Sequence, residues 1–120
     1  MNRFVVQEHH ARNLHWDFRL EKEGVLKSWA VPKGVPEKTS VKRLAIQVAD
    51  HELDYIDFEG EIPEGQYGAG TVKLWDSGTY ELEKESEKAI AFILSGKRLK
   101  GRYSLVHLKQ NQWLIIKQKK

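Results

Sequence analysis

The segment His15-Trp16-Asp17-Phe18-Arg19-Leu20-Glu21 alternates polar and apolar residues without a break. In an extended chain, side chains leave on alternate sides. His15, Asp17, Arg19 and Glu21 therefore share one face, while Trp16, Phe18 and Leu20 share the other and are expected to enter a core. His15 and Asp17 then stand about 7 Å apart at Cα, close enough for both to reach one cation. A histidine pair, His9-His10, lies just upstream. Two imidazoles and a carboxylate leave open positions on a metal such as manganese, iron or zinc. Arg19 adds a fork-shaped donor, and guanidinium binds phosphate in bidentate fashion. A metal and a guanidinium on one face suit a tetrahedral anion. The same pattern also fits a plain amphipathic surface strand in which Asp17 and Arg19 form a weak exposed ion pair.

His51-Glu52-Leu53-Asp54-Tyr55 is a second cluster, just past an alternating segment Leu44–Val48. An imidazole with a pKa near neutrality can stabilise charge or donate a proton; a lone histidine is as readily structural. His107, among apolar neighbours near the C-terminus, reads as structural. Ile62 to Gly70 holds three glycines in nine residues but lacks the Gly-Lys-Ser/Thr ending of a nucleotide-binding loop. Those glycines are expected to permit tight turns or close backbone packing.

The elements that must position these groups are strands. Period two dominates at Phe4–Gln7, His15–Glu21, Val25–Val31, Leu44–Val48, Ile90–Leu94, Gly101–Leu108 and Trp113–Lys117. Thr71–Trp75 and Thr79–Glu83 flank Asp76-Ser77-Gly78, which reads as a hairpin turn. Lys84–Ala91 and Thr39–Arg43 could each hold one helical turn, and no long helix is expected. About eight short strands in one domain, residues 1–120, predict an all-β, closed or nearly closed barrel with little helix. The sequence contains no cysteine, which removes disulfides, zinc ribbons and thiol catalysis. No apolar run approaches the roughly 20 residues needed for a membrane-spanning helix. No charged-then-apolar leader opens the sequence, so a cytoplasmic, monomeric protein is the expectation. Net charge is +3, but no acidic residue follows Glu87 and eight basic ones lie between Lys97 and Lys120. That stretch is either a solvated face or a surface that meets phosphates.

Longer motifs then become recognisable. Val6 to Glu21, Leu26 to Gly34, Asp50 to Tyr55, Phe58-Glu59-Gly60 and Ile62 to Gly70 resemble, in this order, the signature of the 3′-phosphoesterase domain of bacterial ligase D. The similarity runs from about Phe4 to Ile116. The resemblance implies a small β-barrel with its site in a groove on the outer surface. It implies a manganese-dependent enzyme, other divalent transition metals being possible, that trims nucleic acid 3′ ends. Such an enzyme removes a terminal ribonucleoside and then the resulting 3′-phosphate, leaving a 3′-hydroxyl. By matching positions, His9, His15 and Asp17 are the implied metal ligands. Arg19 and His51 are the implied phosphate-holding groups, Tyr55 is a further functional position, and Gln7, Lys33 and Arg43 are implied supports.

Parity agrees on the adjacent histidines. If the first strand persists through them, His9 shares a side with Val5 and Gln7, and His10 faces solvent. Trp16 stands where the family usually has tyrosine, and Asn13 replaces a more usual arginine or threonine. No ligase or polymerase sequence accompanies these motifs, so coupling to a separate ligase or polymerase is expected in trans. Two other classes fit parts of the pattern. One is a two-histidine, one-carboxylate metal oxygenase, for which 120 residues are short. The other is a non-catalytic nucleic-acid-binding barrel that uses the basic C-terminal strands.

Overall fold

Large apolar side chains recur at every second position, and most strands turn that row inward; along residues 44–48 only Ala45 joins the core, and Leu44 stays exposed. The computed structural model describes residues 2–119 and contains nine strands. These are β1 (Asn2–His10), β2 (Leu14–Lys22), β3 (Val25–Val31), β4 (Lys42–Glu52), β5 (Gly60–Ile62), β6 (Gly70–Glu85), β7 (Ala89–Gly96), β8 (Lys100–Lys109) and β9 (Gln112–Lys117). Every pairing is antiparallel. The order β1-β2-β3-β4-β9-β8-β7-β6 closes through a β1–β6 pairing, and β5 lies outside, on β6. The closed eight-strand barrel expected from the sequence is what the chain forms, and closure leaves no long open edge.

The interior is a run of aromatic contacts. Phe18 stacks on Phe92 at 5.8 Å between ring centroids, Phe92 on Tyr103 at 6.3 Å, and Trp29 meets Trp113 edge-on at 5.8 Å. The buried Tyr103 hydroxyl donates to the Pro36 carbonyl at 2.6 Å, so its polar end is satisfied. Phe18 and Leu20 enter this core as expected, and Trp16 packs against it while partly buried. A second, smaller cluster lies on the outer wall. There Val5 and Leu26 are covered by Ile56 of a 3₁₀ helix, Leu53–Asp57. That helix was not foreseen; it is the one helical element among the described residues.

Three local expectations fail. Asp76-Ser77-Gly78 is no hairpin turn, because β6 runs through it for 16 residues. The Asp76 carboxylate is buried and accepts the backbone N–H groups of Lys97, Arg98 and Leu99 at 2.9, 3.2 and 2.8 Å. It therefore caps the distant β7–β8 turn rather than forming one locally. Gly78 is required by close approach, since a Cβ there would sit 2.1 Å from the Ser95 carbonyl oxygen. A register shift opposite Val6/Gln7 lets the long strand bend, so that β6 serves β1 and β5 at one end and β7 at the other. Lys84–Ala91 is strand, turn and strand instead of a helical turn, and Thr39–Ser40 is a simple turn before β4.

Replacing Asp76 separates the two accounts of β6. Asp76→Ala orphans the buried Leu99 N–H, at roughly 1–3 kcal/mol, and frees the part-buried Lys97 and Arg98 donors, which water can reach at smaller cost. Chemical denaturation of this variant is expected to show a loss of about 2–4 kcal/mol. A change below about 0.5 kcal/mol, the ordinary surface range, would contradict the capping role.

Candidate active site

The outer face of β1, β2 and β3 carries the polar residues that alternate with the core. Register places His9 opposite His15, Gln7 opposite Asp17, and Arg19 opposite Ser28. His9, His15 and Asp17 each offer a ligand atom, and these atoms all lie within 4.8 Å of one another. The Asp17 Oδ2 atom is 3.5 Å from His9 Nδ1, 3.4 Å from His15 Nε2 and 3.6 Å from Arg19 Nη2.

Backbone carbonyls orient both imidazoles. His9 Nε2 donates to the Gly68 carbonyl at 2.7 Å, and His15 Nδ1 donates to the Asn13 carbonyl at 2.9 Å. Each ring thereby turns its other nitrogen toward Asp17. Two bare nitrogens and a carboxylate converging on one point repel one another unless a cation lies between them. Outer N–H groups fixed on carbonyls are also how metal-binding histidines are held. The donor set fits a divalent transition metal.

Glycine geometry builds this arrangement from the loop side. At Gly70 (φ 131°) a Cβ would lie 2.2 Å from the His10 carbonyl, so the loop can press against β1 only with glycine there. Gly68 (φ 76°) brings its own carbonyl onto His9. The glycine-rich segment acts by close packing, as its sequence implied.

Arg19 is buried and locked. Its Nε donates to Gln7 Oε1 at 2.7 Å and its Nη1 to Ser28 Oγ at 2.8 Å. The Gln7 amide donates in turn to the Tyr55 carbonyl at 2.9 Å and the Phe58 carbonyl at 3.3 Å, tying the 3₁₀ helix to the wall. Burial lowers the Arg19 pKa and the Asp17 carboxylate opposes that lowering. Burial alone would push Asp17 up, but His15 and Arg19 outweigh it and hold the carboxyl below its ordinary range. His15 is raised, chiefly by its interaction with Asp17. A proton and a metal would therefore compete for the same nitrogen. His51 is lowered, first by burial and then by Arg19, so it is neutral near pH 7.

His51 stacks on Tyr55 at 4.7 Å, Tyr55 stacks on Phe58 at 4.9 Å, and the Arg19 guanidinium carbon stands 5.1 Å from the centre of the Tyr55 ring. A cavity of about 350 Å³ on the outer wall brings together His9, His15, Asp17, Arg19, His51 and Tyr55. Gln7 lies beneath them, fully buried. Lys33 and Arg43 are not brought to this cavity. They border a separate concavity with Lys42, and Arg43 donates to the carbonyls of Lys33 and Gly34. His10 is exposed and interacts with Glu8 instead of the cluster. His107 stacks on Trp113 and bonds the Gln110 carbonyl, as a structural residue would. The basic C-terminal stretch lies elsewhere, since β8 is four strands from β2 in either direction round the barrel.

The sequence reading missed Ser28 and the carbonyls of Asn13 and Gly68. Ser28 was signalled: it interrupts an apolar strand and is fully buried, so it needs a polar partner. The carbonyls carry no side-chain signal.

Fold and cluster together define a class: small closed β-barrels whose outer wall holds a two-histidine, one-carboxylate centre beside a fixed guanidinium. Residues 7–107 match the family model described as the DNA ligase D 3′-phosphoesterase domain. The chain belongs to that family. It is 54% identical over 117 residues to the multifunctional non-homologous end joining DNA repair protein LigD of Mycobacterium tuberculosis, covering 94% of this chain and 15% of that protein. It is 51% identical over 126 residues to the Pseudomonas aeruginosa multifunctional non-homologous end joining protein LigD (98% and 15%) and 46% identical over 129 residues to that of Mycolicibacterium smegmatis (98% and 17%). The chain thus spans about one sixth of the length of these relatives. No helix among the described residues is long and apolar enough to cross a membrane.

The adjacent histidines test the geometry directly. Titration with Mn²⁺ is expected to show His9→Ala losing at least tenfold in affinity and His10→Asn staying within about twofold. The reverse order would move the cation to the other side of β1.

Proposed function

We propose that this domain is a metal-dependent phosphoesterase acting on the 3′ ends of nucleic acid. It releases a terminal ribonucleoside from a strand to leave a 3′-phosphate, then hydrolyses that monoester to a 3′-hydroxyl and inorganic phosphate. The observation that carries the reading is the convergence of His9, His15 and Asp17 within 4.8 Å, beside an arginine immobilised by two hydrogen bonds. Family membership supports the reaction class.

His9, His15 and Asp17 would hold the cation, with Mn²⁺ the proposed occupant and other divalent transition metals chemically admissible. When bound, it supplies Lewis acidity at a non-bridging phosphate oxygen. Gln7 and Ser28 occupy Nε and Nη1 of Arg19; Nη2, which stands 3.6 Å from Asp17 Oδ2, would donate to a second phosphate oxygen. A guanidinium fixed before the reaction meets developing charge without reorganising, which is why such donors favour the transition state over the ground state. His51 is neutral in the free site and donates a hydrogen bond to the phosphate. A bound dianion raises its pKa, and the protonated ring can then stabilise the departing oxygen. Tyr55 keeps its phenol protonated, since burial pushes its pKa up, and its ring flanks both Arg19 and His51.

The rest of the substrate is proposed to be a primer strand carrying a 3′-ribonucleotide or 3′-phosphate. Lys33 and Arg43, exposed or part-exposed in their own concavity, would follow its backbone away from the reacting end. A separate ligase or polymerase would take up the 3′-hydroxyl. A monomer in the cytoplasm, where such strands are repaired, completes the reading.

A labelled strand ending in 3′-phosphate tests it. With Mn²⁺ the wild type should release phosphate, and EDTA should stop release. Arg19→Ala should lose about 10²–10³ in kcat while still binding Mn²⁺, the usual loss for one preorganised donor. Asp17→Asn should be inactive on both the 3′-phosphate and the 3′-ribonucleotide strand. Full activity in EDTA, or an unimpaired Arg19→Ala, would overturn the reading.

A further inference from the structure

Three of the four tyrosines are buried or half-buried, whereas Tyr67 is 98% exposed. It nevertheless lines the active-site cavity, as do His51 and Tyr55, and its exposure puts it at the lip. Two successive hydrogen-bonded turns shape its loop, Gln66 N–H to the Pro63 carbonyl and Ala69 N–H to the Gln66 carbonyl. The next residue, Gly68, gives its carbonyl to His9. Two residues further, Gly70 is wedged against the His10 carbonyl. The backbone of Tyr67 is therefore tied to a proposed metal ligand while its ring stands in water. No hydrogen bond or ring contact of the Tyr67 side chain occurs among the described residues.

A large aromatic face held out beside a charged cavity favours a planar, weakly polar partner. The charged groups lie deeper: Asp17 and Arg19 are buried beneath the lip. A nucleotide with its phosphate on Arg19 must therefore turn its base outward, toward the lip. Base–aromatic stacking tolerates any sequence, because every base has a π-face. No amide side chain lines the cavity, and its one guanidinium, Arg19, is buried, held by Gln7 and Ser28 and assigned above to the phosphate, so it is not free to read base edges. On the strength of the end-directed reading above, we propose that Tyr67 is the stacking platform for the nucleobase of the 3′-terminal nucleotide. It seats the strand end without selecting among bases, while the phosphate lies deeper, on Arg19 beside the His9–His15–Asp17 cluster.

The experiment compares wild type, Tyr67→Ala and Tyr67→Phe on two strands. One ends in an ordinary nucleoside 3′-phosphate, and the other has the same backbone but lacks the terminal base. On the base-bearing strand, Tyr67→Ala should raise KM by about 5- to 100-fold, and Tyr67→Phe should stay within about threefold of wild type. On the abasic strand, wild type should fall to the level of Tyr67→Ala, so the difference between them vanishes. Equal losses on both strands, or no loss on either, would overturn the proposal. A binding arm keeps it distinct from the catalytic reading. A strand ending in 2-aminopurine 3′-phosphate, mixed with protein without added metal, should lose fluorescence on wild type and Tyr67→Phe but not on Tyr67→Ala. Tyr67-dependent quenching with no phosphate release by any variant would preserve the platform and sink the proposed reaction. Phosphate release with Tyr67-independent quenching would do the opposite.

Discussion

Burying the Arg19 guanidinium is the constraint around which the outer wall is organised. A charge taken out of water is tolerated only when paired and hydrogen-bonded. Gln7 from β1, Ser28 from β3 and Asp17 from its own strand meet that need. Gln7 is committed in both directions, to Arg19 and to the carbonyls of Tyr55 and Phe58. The chain leaving β4 is thereby drawn across the wall, with Ile56 closing over Val5 and Leu26. Without that cover Arg19 would be solvated and free to move. With it, one side chain joins three strands and a helix, and its remaining nitrogen has one direction left to face.

The histidines depend on a second constraint, exerted by the backbone. The outer nitrogens of His9 and His15 are held by the backbone, on the Gly68 and Asn13 carbonyls. That makes local chain geometry part of the chemistry. The loop reaches His9 because Gly70 admits contact with β1 that any Cβ would block. The Asn13 carbonyl precedes β2 directly, so His15 is fixed by the turn that starts its own strand. The affinity of the proposed cation would then be tuned by how tightly two turns hold.

Strand parity made much of this legible in the sequence. His15, Asp17 and Arg19 share a face because period two leaves them no alternative, and the same parity separated His9 from His10. Barrel closure followed from the number of short strands. What escaped was long-range. Asp76-Ser77-Gly78 has turn composition, yet Asp76 serves a turn 21 residues away and Gly78 serves a neighbouring strand. The 3₁₀ helix has no periodic stripe, being held from outside by Gln7. Charge along the chain did not point to the site: the basic C-terminal stretch, open in sequence as a solvated or a phosphate-meeting surface, lies in part on β8, four strands from β2, where Arg102 pairs with Glu83. Charge density in sequence reports position in space only once the strand order is known.

The proposed chemistry requires a single preformed cation site between two carbonyl-oriented imidazoles and one carboxylate. Anomalous diffraction at the manganese edge, from crystals grown with Mn²⁺, tests it most directly. One strong peak per chain is expected, liganded by His9 Nδ1, His15 Nε2 and Asp17 Oδ2, with Arg19 still bonded to Gln7 and Ser28. A peak elsewhere on the barrel, or a His9 ring released from Gly68 and bound through Nε2, would contradict it.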